Sequence, residues 1–357
     1  MRRSLAFATA AVLGVLLALE LLLRVLPVST ATMTGYHLDT EVLTYPPGHH
    51  WTTSTGWDLR NPQHLRANNW GFVSEHDFQP DPRAVALIGD SYIEASMLDP
   101  ADRPAAKLEA LIGGARKVYG FGSPGTALID HAQRLRLASE QFQVRDVVVF
   151  LERGDVRQSL CGSGNVHSRC LDPATLQPLT ERQPSPSTVK RWARHSAVAQ
   201  YLFGQLKLQP LALLRSMFVR AVPEEPAARA MAPAAPATLD DRSRALVDAA
   251  VGRFFADAGP YLRGRLLFVI DGRREGPAAE PEAEDLQRRY LMNHLAAYGA
   301  AVVDLERVYE AHARGSARRL DVGPYDGHLN PLGVALAMQP VADWLRAAPG
   351  PAGGHPL

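Results

Sequence analysis

Apolar positions along this chain follow three successive patterns. An apolar run from Leu5 to Leu19 is extended past Glu20 by Leu21, Leu22 and Leu23. Its length to about Leu26 matches the ~20 residues that cross a bilayer. From Thr30 to Pro82 the chain is rich in Thr, His, Asn, Trp and Pro and sustains no apolar period, which predicts irregular structure. Beyond Pro82, short apolar runs at 84–88, 118–119, 147–151, 266–270 and 301–305 read as strands. Segments with helical spacing lie between and after them, at 105–112, 128–142, 246–255, 283–298 and 332–345.

Strands alternating with helices imply βαβ units with right-handed crossovers, and so an α/β fold with a doubly wound parallel sheet. In such sheets the working residues gather at the carboxyl ends of the strands. The expected organisation is a membrane anchor over 1–29, an extended neck over 30–82 packed on the domain, and an α/β domain over 83–350. About a hundred residues separate the third and fourth strands, which marks an insertion at about 156–262.

The insertion carries a predicted helix with apolar positions Val189, Trp192, Ala199, Phe203 and Leu206, then a second apolar stretch at 211–222. A Pro and Ala-rich segment at 223–236 reads as a flexible linker. Lys190, Arg191, Arg194 and His195 decorate the start of that helix. They suit either a membrane surface or glycan, or simply a solvated helix face.

Charge names no polyanionic partner: 38 Lys and Arg against 37 Asp and Glu leave +1 over 357 residues, so nucleic acid is not expected. The charges at the N-terminus are more telling, because Arg2 and Arg3 precede the apolar run and little positive charge follows it. The positive-inside rule then leaves the N-terminus in the cytoplasm and everything after Pro27 outside, which in a bacterium means an inner-membrane anchor and a periplasmic domain. No small-x-small cleavage site follows in 27–33, which favours an uncleaved anchor over a signal peptide. Glu20 and Arg24 are four apart and can pair on one helix face. Cys161 and Cys170 are the two cysteines, and in an oxidising compartment they can close a small loop as a disulfide. No CxxC or HExxH occurs, and His49 with His50 reads as part of a solvated loop, so neither metal nor cofactor is expected.

Two blocks carry chemistry. Gly89-Asp90-Ser91 places a serine just past a buried strand, and Asp326-Gly327-His328-Leu329-Asn330-Pro331 opens the final helix. A serine needs a base to take its proton, and the base works best when a carboxylate fixes its tautomer. An Asp two residues before a His can bond one ring nitrogen and leave the other for Ser91. Each block has a plain reading as a turn or helix cap; together they form a candidate triad of Ser91, His328 and Asp326.

In their order these blocks resemble the SGNH (GDSL-type) serine hydrolases. That family carries a Gly-Asp-Ser block after strand one, a glycine block after strand two, an Asn-containing block after strand three, and an Asp and His block near the end. Here the first is Gly89-Asp90-Ser91-Tyr92, with Tyr92 where leucine is commoner, and the second is Gly120-Phe121-Gly122-Ser123-Pro124-Gly125. The spacing of Asp326 and His328 is the closer one of some members, including the alginate-type O-acetyltransferases. The resemblance implies a three-layer, flavodoxin-like sheet and an oxyanion hole from the backbone amides of Ser91 and Gly125. The third block departs: in Leu151-Glu152-Arg153-Gly154-Asp155 the family's asparagine falls on Gly154, leaving Arg153 as a substitute donor.

The function implied is removal or transfer of an acyl group, acetyl first, on an envelope or exported polysaccharide. Its partners would be an acylated glycan or ester and, for transfer, a multi-pass membrane acyltransferase as donor. The alternatives are an esterase or lipase acting on lipid or small esters, with the insertion as its lid, and a non-catalytic binding module that kept the fold.

Overall fold

A computed structural model describes residues 2–165, 168–181, 187–206, 208, 238–274, 282–323 and 326–347. In chain order its elements begin with helix α1 (Arg2–Val25) and strands β1 (His50–Thr55), β2 (Arg60–Arg66) and β3 (Val85–Gly89). They continue with α2 (Ser91–Glu94), α3 (Pro104–Leu111), β4 (Val118–Gly122), α4 (Leu128–Phe142), β5 (Asp146–Leu151) and α5 (Asp155–Gln158). Next come β6 (Arg169–Leu171), β7 (Pro178–Thr180), α6 (Thr188–Ala193), α7 (Ala197–Ala199) and α8 (Asp241–Ala258). The last are β8 (Leu266–Ile270), α9 (Ala283–Ala297), β9 (Ala301–Asp304), α10 (Leu305–Gly315) and α11 (Pro331–Arg346).

The chain forms two compact units, one from Met1–Met33, His50–Arg66 and Pro184–Ala232, the other from Thr34–His49, Ala67–Gln183 and Pro233–Leu357. The larger unit holds a five-stranded sheet in the order β4-β3-β5-β8-β9, every pairing parallel. Counted along the chain this is 2-1-3-4-5, the flavodoxin-like order. Because side chains alternate across a strand, each run feeds two cores. Ala86, Ile88, Val147, Val149 and Phe268 pack against α4, α8 and α9. Val85, Leu87, Val148, Phe150 and Leu267 pack against α3, α10 and α11. Burial on both faces is why these strands read as unbroken apolar runs, and each buried Val, Leu, Ile or Phe among them contributes roughly 1.5–3 kcal/mol. The fold is the expected three-layer α/β sandwich.

Residues 241–258, within the expected insertion, are the crossover helix α8, with Val247, Ala250, Val251 and Phe254 fully buried. Ahead of it, Cys161 and Cys170 form a disulfide with their Cα atoms 5.0 Å apart. Around it Cys161 N–H donates to Leu171 O, and β6 pairs antiparallel with β7. The neck portions of this unit supply Val42, Phe72 and Phe78 to the core. Phe78 lies 4.7 Å, centroid to centroid, from both Tyr119 and Phe121.

The smaller unit differs from expectation in two places. Residues 50–66, expected to be irregular, form the antiparallel hairpin β1–β2, in which Trp51 pairs with Leu65. Those two are its buried apolar residues; with polar residues around them, the strand alternation cannot be read. The helix expected through Val189 and Leu206 is broken into α6, α7 and a π-helical turn at Gln200–Gln205. Ser196 caps α7, its side chain accepting from Ala199 N–H, and this restarts the helix. The stretches at 211–222 and 223–236 lie outside the described residues.

Candidate active site

Ser91 opens α2 at the carboxyl end of β3, and its N–H is among those that a helix start leaves without an intrahelical acceptor. Asp90, buried, caps this turn by accepting from Tyr92 N–H at 2.9 Å. Gly122 lets α2 sit against β4: a Cβ there would lie 2.3 Å from Glu94 N. Across the sheet end, Gly89 pairs with Gly122 and Ser123 N–H donates to Gly89 O, so the loops after β3 and β4 adjoin. Gly125 lies in the second of these loops at φ +71°, a conformation that favours glycine.

His328 Nε2 is 2.8 Å from Ser91 Oγ, and His328 Nδ1 is 2.5 Å from Asp326 Oδ1. The same Asp326 oxygen accepts from His328 N–H at 2.9 Å, fixing the carboxylate to its own loop. Bonds from Val322 N–H to His328 O, Gly323 N–H to Asp326 O and Asn330 N–H to Leu320 O hold the loop closed. Asn330 ends it by capping α11 through Gly333 N–H while its amide donates to Arg319 O and Asp321 O. Ser91, His328 and Asp326, distant in sequence, are thus brought into one hydrogen-bonded line.

Tyr92 braces this line. Its ring stacks on Phe150 and lies 4.7 Å from the His328 ring. Its hydroxyl accepts from Arg274 Nη2 at 3.0 Å, and burial pushes the phenol up to about 12. Arg274 also donates to Gly327 O, between the two triad residues, and to Asp271 Oδ2. Tyr309 O–H in turn donates to Asp271 Oδ1 at 3.0 Å.

Arg134, on α4, lies completely buried beneath the site. Its Nη1 donates to Gly89 O at 3.0 Å, Thr126 Oγ1 at 2.8 Å and His131 Nδ1 at 3.1 Å, so one group spans the nucleophile loop and the Gly125 loop. Burial holds His131 well below its ordinary value, hence neutral, with Nε2 3.8 Å from Asp155 Oδ2. Sequence reasoning missed Arg134, His131, Arg274 and Asp271. The signal for the first two was polar side chains on the apolar stripe of α4, where Ile129, Ala132, Leu135 and Ala138 face the core.

The third block takes a different form from the family's. Arg153 donates to Asp285 Oδ1 at 2.8 Å, so its guanidinium is committed to an ion pair. Glu152 folds back over Gly154, accepts from the Gly154 N–H and bonds Gln158 Nε2; burial raises its carboxyl. A Cβ on Gly154 would stand 2.5 Å from Glu152 Oε1.

Beside the triad opens a cavity of about 950 Å³, lined by Tyr92, Gly327 and the third-block residues. Five arginines (153, 157, 273, 274 and 319) and five carboxylates (Glu152, Asp271, Glu282, Glu284 and Asp321) dominate its wall.

No protein-family model matches the chain, and no curated protein sequence does. Among solved structures, 46 chains match. A carbohydrate acetylesterase from Sinorhizobium meliloti is 10% identical, with 74% of this chain and 98% of that one covered at a TM-score of 0.34. A lipase/acylhydrolase from Enterococcus faecalis is 12% identical over 74% and 95%, at 0.37. A member of the lipolytic G-D-S-L family from Veillonella parvula is 11% identical over 74% and 99%, at 0.38. Independently of these likenesses, the strand order gives the chain a flavodoxin-like three-layer α/β fold, with the serine after the first sheet strand and the Asp and His before the last helix, the order of blocks that the sequence resemblance to SGNH hydrolases implies.

Proposed function

We propose that the chain is a serine enzyme that removes or transfers an acyl group, acetyl first, on an envelope or exported polysaccharide. The observation that carries this reading is the line from Ser91 Oγ through His328 to Asp326, at 2.8 and 2.5 Å, beside a polar cavity. His328 Nε2 takes the Ser91 proton as Oγ attacks the ester carbonyl, while Asp326 stabilises the imidazolium. The tetrahedral oxyanion faces the amides of Ser91 and Gly125. Collapse breaks the ester C–O bond, His328 returns the proton to the leaving alcohol, and acyl-Ser91 remains. Water or a glycan hydroxyl then reverses the sequence, giving hydrolysis or transfer.

Paired charges around the cavity suit a polyhydroxylated substrate, since a sugar hydroxyl both donates to carboxylates and accepts from guanidinium groups. Among the described residues of that wall charged side chains outnumber the apolar Tyr92 and Leu320, which disfavours the lipase reading. The one helix long and apolar enough to cross a membrane among the described residues, Ala6–Val25, supports an inner-membrane anchor, and the disulfide supports a periplasmic domain. Transfer requires an acyl donor on that side, and a multi-pass membrane acyltransferase would supply one. The test is turnover by the purified full chain of O-acetylated glycans, aryl acetate and long-chain aryl esters, with Ser91→Ala as blank. Acetyl release or exchange exceeding long-chain cleavage is expected; preference for long chains would overturn the substrate assignment.

A further inference from the structure

Glu20 is an acidic residue inside an apolar span, five residues before the end of α1 and so about 7.5 Å from it along the axis. Such a group needs a partner, and here it has several. Glu20 Oε1 accepts from Ala197 N–H and Arg24 Nε, both at 2.9 Å, and Oε2 accepts from Ser196 Oγ at 2.9 Å and Val198 N–H at 3.0 Å. Arg24 Nη2 donates to His195 O at 3.1 Å. Residues 195–198 are thereby fixed at the level of Glu20, with backbone donors satisfied as a lipid boundary requires.

The rest of the smaller unit is tied to the same place. Gln205 donates to Ser54 O and Gly56 O, both at 2.8 Å, and accepts from Ser29 N–H just past α1. Tyr201 O–H donates to Trp57 O, which holds the hairpin tip. Yet Trp57, Trp192 and Val189 remain 67%, 75% and 79% exposed, and Phe203 is half exposed. Arg191 and Arg194 lie in the same segment. Large exposed apolar side chains on one small unit mark a surface that is covered in use. Tryptophans with arginines at the end of a membrane span have the chemistry of the headgroup layer.

We infer that hairpin β1–β2 and residues 187–206 form a foot that rests in the outer headgroup layer of the bilayer around the end of α1, with Trp57 and Trp192 in the lipid and Glu20 as its latch. The foot is continuous with the span, so lipid is its occupant. This rests on α1 as a membrane span, and on no part of the catalytic reading.

The full chain is reconstituted in phosphatidylcholine/phosphatidylglycerol nanodiscs, with lipids brominated near the headgroup as tryptophan quenchers. Wild type is compared with Trp57→Phe/Trp192→Phe, and alkaline extraction of native membranes reports anchoring separately. Aryl acetate turnover, expected unchanged, reports that the double variant is folded. The inference requires an extraction-resistant chain whose quenched fluorescence at least halves in the double variant. An extraction-resistant chain with equal quenching in both proteins would overturn the foot while leaving the anchor. A chain released by alkali would overturn the span and the foot together. Glu20→Ala, expected to stay anchored, should make 187–206 more susceptible to protease; unchanged cleavage would overturn the latch.

Discussion

Gly154→Asn would give this chain the side-chain amide that SGNH members carry after the third sheet strand. Backbone does not oppose it, since Gly154 has φ −91° and ψ −9°, a conformation open to any residue. Crowding does: the new Cβ would stand 2.5 Å from Glu152 Oε1 and 2.6 Å from Gln158 Nε2. Both atoms end flexible side chains that bond each other, so asparagine enters by displacing that pair. The lost hydrogen bond costs about 1 kcal/mol, a fall in Tm of roughly 2–4 °C for a domain of this size. Set against this, one donor aimed at an oxyanion is worth ~10² to 10³ in kcat, or about 3–4 kcal/mol. The catalytic gain therefore outweighs the loss of stability. We expect a folded variant whose kcat/KM for p-nitrophenyl acetate rises, by up to ~10² to 10³ when the new amide reaches the oxyanion. Steady-state kinetics on the purified full chain in detergent, with Ser91→Ala as blank and circular dichroism as the fold check, measures it. A folded variant with unchanged or lower kcat/KM would refute the missing-donor reasoning and show that a donor already serves the site.

Arg134→Met leaves Asp90, Asp130 and Asp155 without the buried cation beside them. It should lower stability by about 3 kcal/mol or more and reduce kcat more than it raises KM, which urea melts and kinetics read out. Burial lifts the Glu94 carboxyl, which accepts from Tyr45 O–H, to about 7 from an ordinary 4.5. Its contribution to stability is therefore full below about pH 4.5 and lost as pH rises through about 7, a swing of about 3 kcal/mol. Glu94→Gln should flatten that part of the stability profile, measured by urea melts across the window. Cys161→Ser/Cys170→Ser opens a loop with a sequence separation of 9; chain entropy puts the loss at about 3 kcal/mol, seen as a lower urea midpoint with the triad still able to turn over acetate.

What was legible in the sequence follows from locality. Val147 to Leu151 reads as a strand because both faces of β5 are buried, and Gly89-Asp90-Ser91 and Asp326-Gly327-His328 read as a site because each is one loop. What escaped is set by long-range contact. Arg134 stands out only as a charge on the apolar stripe of α4, and its partners, Gly89 O and Thr126 Oγ1, lie 45 and 8 residues away, brought to it by the fold. Arg274 is tied to the triad loop through Tyr92 and Gly327, 182 and 53 residues away. The hairpin at 50–66 hides because Trp51 and Leu65 are its buried apolar pair. The helix at 187–206 breaks because Ser196 bonds both Ala199 N–H and Glu20, a partner some 176 residues earlier.

The most direct test of the central claim is covalent. The full chain in detergent is treated with a fluorophosphonate probe and mapped by mass spectrometry, alongside Ser91→Ala and His328→Ala. A triad with His328 Nε2 at 2.8 Å from Ser91 Oγ predicts one label per chain, on Ser91, abolished in the first variant and slowed by orders of magnitude in the second. A folded wild-type chain that turns over aryl acetate with Ser91 unlabelled, or labels equally fast without His328, would contradict the account.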